Sequence, residues 1–127
     1  MNRTPLLTAA ALTAAALTAS LALAVPALAG SAAATPLTGT VGPGFTITLA
    51  NKAGKVKTLK HGSYVITVKD KSAAHNFHII GPGVAKVVTT VPFVGTKKIT
   101  VTLKKGTYTY QCDPHAAAGM KAKFKVT

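Results

Sequence analysis

The sequence predicts an all-β protein, a Greek-key β-sandwich preceded by an N-terminal signal segment, on three observations. First, short runs alternate apolar and polar side chains with the two-residue period of a half-buried strand. Tyr64, Ile66 and Val68 alternate with Ser63, Val65, Thr67 and Lys69, and Ile99, Val101 and Leu103 with Thr100 and Thr102. Second, the runs are separated by turn chemistry at Gly42-Pro43-Gly44, Asn51-Lys52-Ala53-Gly54, Gly81-Pro82-Gly83 and Lys104-Lys105-Gly106. Third, no helical period interrupts them, and strands at this spacing without helices argue for a sandwich.

At the N-terminus, Met1-Asn2-Arg3 is a short positive start, followed by an almost unbroken run of Ala, Leu and Thr that ends in Pro26-Ala27-Leu28-Ala29-Gly30. This pattern predicts a secretory signal over residues 1–29, cut at the Ala-x-Ala site after Ala29, with a cut after Ala34 as the alternative. The run is long enough to approach a membrane span, but its small-residue site argues for cleavage and hence for no stable span in the processed chain. No cysteine follows the site, which argues against a lipid anchor. Residues 30–36 read as a flexible lead-in and residues 37–127 as one small domain.

Within that domain Phe45, Ile47 and Leu49 alternate with Thr46 and Thr48, so all three are expected on one inward face. Neither Gly-Pro-Gly stretch precedes a helix-forming segment, so a phosphate cradle lacks its context and both read as turns. A place where the loops of the sandwich gather at one end stays open to both.

The chain's one cysteine lies between two alternating runs. Tyr108, Tyr110 and Cys112 share one parity, while Met120, Ala122, Phe124 and Val126 alternate with Lys121, Lys123 and Lys125. Cys112 is therefore an inward residue at the end of one strand and Met120 the first inward residue of the next, with His115 on the connection. Upstream, His75 shares parity with Phe77 and Ile79 and is expected to point inward, whereas His78 is expected to point outward, at the surface or behind the ligands. His61 sits beside a turn glycine and has no functional argument. A free thiol in an exported chain is a liability unless something uses it. Two imidazoles, a thiolate and a weak axial thioether are the ligand set of a blue-copper electron-transfer site. His75, Cys112, His115 and Met120 are the candidate metal ligands.

The run Gly106-Thr107-Tyr108-Thr109-Tyr110-Gln111-Cys112-Asp113-Pro114-His115-Ala116-Ala117-Ala118-Gly119-Met120 resembles the C-terminal copper loop of the plastocyanin-like cupredoxins, with their Cys-x-x-His-x-x-x-x-Met spacing. Asp70-Lys71-Ser72 followed by His75-Asn76-Phe77-His78 resembles the segment that supplies their first histidine. The resemblance spans residues 37–127. It implies a cupredoxin-like sandwich and one copper ion in a type 1 site on His75, Cys112, His115 and Met120. Asn76 would pin the two ligand segments together, and the free edge of His115 would reach the surface. Where plastocyanin has a tyrosine beside the copper cysteine, as part of a second electron route toward an acidic patch, this chain has Gln111. The resemblance therefore does not extend to plastocyanin's partners.

Charge narrows the partners. The chain's formal net charge is +13. Its single arginine lies in the signal, which leaves 14 lysines against Asp70 and Asp113, a net +12 over residues 30–127. Such a field steers acidic partners and weakens with salt. Specific nucleic-acid recognition is a poor fit, because residues 30–127 lack arginine and tryptophan and offer few aromatics for base stacking. The expected partner is an acidic redox protein, with an anionic cell-envelope polymer as the other candidate. No serine, histidine and carboxylate set suggests hydrolysis, and two acidic residues give acid–base catalysis almost no material. An enzyme is therefore not expected. The expected function is one-electron transfer by an exported, monomeric protein in the periplasm, at the cell surface or secreted. An extracytoplasmic copper carrier or buffer, or a cationic surface-binding module on the same scaffold, is the alternative.

Overall fold

The computed structural model describes residues 30–127 together with Ala24 and Pro26, so the signal segment, those two residues apart, lies outside the described residues. Ten strands follow: β1 (Thr35–Val41), β2 (Ile47–Asn51), β3 (Gly54–Lys55), β4 (Thr58–Leu59), β5 (Gly62–Asp70), β6 (Phe77–Gly81), β7 (Val84–Thr89), β8 (Gly95–Leu103), β9 (Gly106–Gln111) and β10 (Lys121–Val126). A 3-10 helix over Asp113–Ala118 links the last two. Strand β1 takes in the last two residues of the segment read as a lead-in.

The strands form two five-stranded sheets, in the orders β3-β2-β1-β5-β8 and β4-β10-β9-β6-β7. The β1–β5 and β4–β10 pairs are parallel and the others antiparallel. The alternation in sequence becomes the two inner faces, as period-two side chains must. Leu37, Val41, Leu49, Ile66 and Val68 from the first sheet meet Phe77, Ile79, Tyr108, Tyr110, Phe124 and Val126 from the second, all buried.

Phe45 departs from the parity that places it inward. The residue is 65% exposed, while Ile47 and Leu49 are buried as expected. The strand begins only at Ile47. Ahead of it, Gly42 N–H donates to Thr46 O at 2.9 Å and Thr46 N–H to Gly44 O at 2.8 Å, which closes a tight turn over residues 42–46. Parity counts only while the chain stays pleated. The turn swings Phe45 out of the core and toward the cysteine end.

The two Gly-Pro-Gly turns part company. Pro43 lies beside His75, its carbonyl 3.3 Å from the His75 Nε2. Pro82 instead belongs to the β6–β7 turn, where its carbonyl accepts the Tyr108 hydroxyl at 2.8 Å while that hydroxyl accepts the Lys104 N–H at 3.0 Å. This second turn fixes the start of β9 rather than the cysteine at its other end.

Candidate metal centre

Two segments supply the site, and the core holds both. Phe77, two residues after His75, stacks on Tyr110, two residues before Cys112, with ring centroids 5.8 Å apart and planes 3° from parallel. Tyr110 in turn packs against Phe124, which stacks on Tyr108 at 5.3 Å. Aromatic pairs of this kind contribute about 0.5–1.5 kcal/mol each beyond the area they bury. Here they fix the spacing of the ligand segments from beneath.

The connection from β9 to β10 is knotted by its own backbone. Cys112 N–H donates to Met120 O at 2.9 Å, His115 N–H to Cys112 O at 3.2 Å and Met120 N–H to His115 O at 3.1 Å. Pro114 sits in the first turn of the 3-10 helix, where a missing N–H costs nothing. Gly119 ends it at φ 96°, a left-handed conformation that glycine adopts without a Cβ clash. The three hydrogen bonds hold the backbones of Cys112, His115 and Met120 around one point.

Cys112 and His75 are buried, His115 is half-buried, and the Met120 side chain is buried. His75 Nδ1 lies 3.0 Å from His115 Nδ1, and the Cys112 Sγ lies 3.6 Å from the first and 3.5 Å from the second. For a triangle of those sides the point equidistant from all three atoms is about 2.0 Å from each, the length of a first-row metal–imidazole bond. Among the described residues this is the one group of three or more His, Cys, Asp or Glu side chains poised to hold a metal ion.

The outer contacts set the ligands' protonation. A carbonyl can only accept, so the 3.3 Å contact with Pro43 O makes the His75 Nε2 a donor and leaves its Nδ1 lone pair for a metal. Gly42 permits this approach. It has φ 71°, and a Cβ there would stand 3.0 Å from the His75 Cδ2 and 3.0 Å from the Ser72 Cβ. Thiolate and imidazole donors in a trigonal arrangement suit copper, and an oxygen-seeking hard cation finds no carboxylate among them.

Sequence reading placed His78 outward and gave Asp113 no role. His78 does point away from the donor cluster, and it donates from Nδ1 to the Asp113 carboxylate at 3.0 Å. Gln111 donates to the same carboxylate at 2.8 Å, because β6 and β9 pair His78 with Gln111 and bring both side chains over Asp113. Desolvation works against the Asp113 charge. Hydrogen bonds from Gln111, Asn76 and His78 outweigh it and hold the carboxyl below the ordinary carboxylate range. The signal in sequence was that one of the chain's two acidic side chains adjoins its only cysteine. His61 lies apart, its Nδ1 3.0 Å from the Thr127 carbonyl at the C-terminal strand end.

Comparison with known proteins gives the same answer as the donor set. A model of copper binding proteins of the plastocyanin/azurin family matches residues 49–127. No curated protein matches the chain significantly. Among solved structures, reduced rusticyanin is 27% identical over 72% of this chain and 78% of its own, with a TM-score of 0.51. A second structure of rusticyanin, described as a copper protein, is 26% identical over 72% of this chain and 76% of its own, at a TM-score of 0.51. A cupredoxin sandwich with His75, Cys112 and His115 converging on one point is a site for one copper ion. The match over residues 49–127, together with this fold and this donor cluster, makes the chain a member of the plastocyanin/azurin family of copper-binding proteins.

Proposed function

We propose that the protein is an exported type 1 copper protein that carries single electrons between redox partners. The observation that supports this most is the triangle of His75 Nδ1, Cys112 Sγ and His115 Nδ1, with all sides between 3.0 and 3.6 Å. Its corners are tied down by backbone hydrogen bonds and aromatic stacking rather than by the ion. A frame of this kind gives both oxidation states nearly one geometry, which keeps reorganisation small.

Copper, when bound, supplies the one-electron couple. Cys112 would hold the ion as thiolate and give it a covalent link to the chain. His75 and His115 would supply the two imidazole donors, and the thioether of the buried Met120 would tune the potential. His115 would pass electrons across the surface through its partly exposed ring edge, and Ala116, Ala117 and Ala118, which follow it on the 3-10 helix, would give that surface a small apolar rim. A rim that shallow permits close approach without long residence, and the lysines orient an acidic partner. Asp113 is engaged by three side-chain donors, which ties its carboxylate to the ligand segments. Export rests on the N-terminal signal pattern alone.

The test is the visible spectrum and voltammetry of protein purified from copper-containing medium. Intense blue absorption from cysteine-to-copper charge transfer and a reversible one-electron wave are expected. Copper binding without a reversible wave would sink the carrier role.

A further inference from the structure

Phe45 is the most exposed large apolar side chain among the described residues, and it packs against both histidines of the donor cluster. Its ring meets His115 at 4.7 Å between centroids and 79° between planes, and His75 at 5.7 Å and 70°. Both contacts are edge-to-face, the arrangement aromatic quadrupoles favour. Cys112, His75 and Met120 are almost wholly shielded by the sandwich, so His115 is the one candidate ligand through which solvent reaches the cluster. His115 also rides on a short 3-10 helix rather than on a strand. It is therefore the donor best placed to swing away first when metal leaves.

We propose that Phe45 is a positioning residue of the copper centre, holding the His115 ring against the ion and closing the path by which ligands and metal exchange. The inference rests on the copper site and not on the electron-carrier role. The tight turn over residues 42–46 makes it specific. That one turn delivers the Pro43 carbonyl to His75 and the Phe45 ring to both imidazoles, so it acts as a clamp on the histidine side of the cluster. A side chain on the same parity as Ile47 and Leu49 has been withdrawn from the core and left 65% exposed, and its contacts are with the two imidazoles. The contacts act through His115, so Phe45 needs no bond to the metal.

The test is the rate at which a strong copper(I) chelator strips the reduced, copper-loaded protein. Losing two edge-to-face contacts of ordinary size is expected to speed removal about tenfold in Phe45→Ala. Phe45→Tyr, which keeps the ring, is expected to stay close to the parent rate. Thermal unfolding of metal-free Phe45→Ala is expected to fall only slightly, because the ring is outside the core and only the two imidazole contacts are lost. Phe45→Leu provides a second truncation with apolar bulk retained, expected to fall between the two. An alanine variant that surrenders copper at the parent rate overturns the proposal, as does a tyrosine variant that surrenders it as fast as alanine. Chelator kinetics are read whether or not the protein cycles electrons, so failure of the carrier role would leave this measurement intact.

Discussion

Asn76 and Asp113 hold each other at both ends. The Asn76 Oδ1 accepts the Asp113 N–H at 2.7 Å, and the Asn76 Nδ2 donates to the Asp113 Oδ2 at 2.9 Å. The pair links the residue after one histidine ligand to the residue after the cysteine ligand, across 37 positions of chain. Asn76 is buried, so its amide has little water to turn to if the bond is lost.

Asn76→Ala is accordingly expected to lower stability by about 1–3 kcal/mol, since it leaves a shielded amide N–H and a carboxylate oxygen short of their partners. The second effect is on the site: with the segments unpinned, copper affinity falls and the blue absorption band broadens. Denaturant melts of metal-free protein and copper titration measure the two separately. A variant with parent-like copper affinity would show that aromatic stacking alone sets the ligand spacing.

Asp113 predicts a pH dependence whose sign follows from its partners. Its carboxyl is held below the ordinary range in the folded chain, so the folded state binds its proton less readily than the unfolded state does. The contribution is complete above the unfolded carboxylate pKa and is lost as pH falls through the lower folded value. Metal-free protein should therefore lose stability on acidification below about pH 4. Asp113→Asn should flatten that part of the profile. The group is partly exposed, so the effect is small, and thermal melts across the acid range measure it.

Gly42→Ala tests the approach of the turn to His75. At φ 71°, with a Cβ 3.0 Å from the His75 ring, alanine combines backbone strain with a contact that the imidazole must yield to. A loss of about 1–2 kcal/mol in stability is expected, together with weaker copper binding as His75 is pushed off its bond to Pro43. Unchanged copper affinity would mean that His75 needs no support from the turn.

Much of this was legible because His75, Cys112 and Met120 lie within two residues of a strand, where a period of two decides which side chain faces the core. His75, Cys112 and Met120 all follow the parity of their buried neighbours Phe77, Tyr110 and Phe124. What parity could not reach was the turn. Phe45 continues the pattern of Ile47 and Leu49 by number, but backbone hydrogen bonds over residues 42–46 override the pattern and turn the ring toward the histidines. The network on Asp113 was equally out of reach, since it depends on which residues of β6 and β9 face one another. Register of that kind is a property of the assembled sheet.

Cys112→Ser probes the thiolate. Hydroxyl for thiol is a near-isosteric change in a fully buried position, so the fold is expected to persist with a modest loss of stability, about 1–2 kcal/mol, from burying a more polar group. Charge transfer from sulfur to copper disappears with the sulfur, and the blue colour with it. A serine variant that remains blue would remove Cys112 from the site.

Met120→Leu separates the axial role from packing. Met120 is 1% exposed and is tied through its backbone to both Cys112 and His115, so a leucine of similar volume should keep the loop closed and cost less than about 1.5 kcal/mol. Losing the thioether removes electron donation that favours the oxidised ion, and the reduction potential is expected to rise while the blue band persists. Voltammetry of the copper-loaded variant beside the parent measures it. An unchanged potential with unchanged stability would mean that Met120 only fills the core and that the axial position belongs to another group.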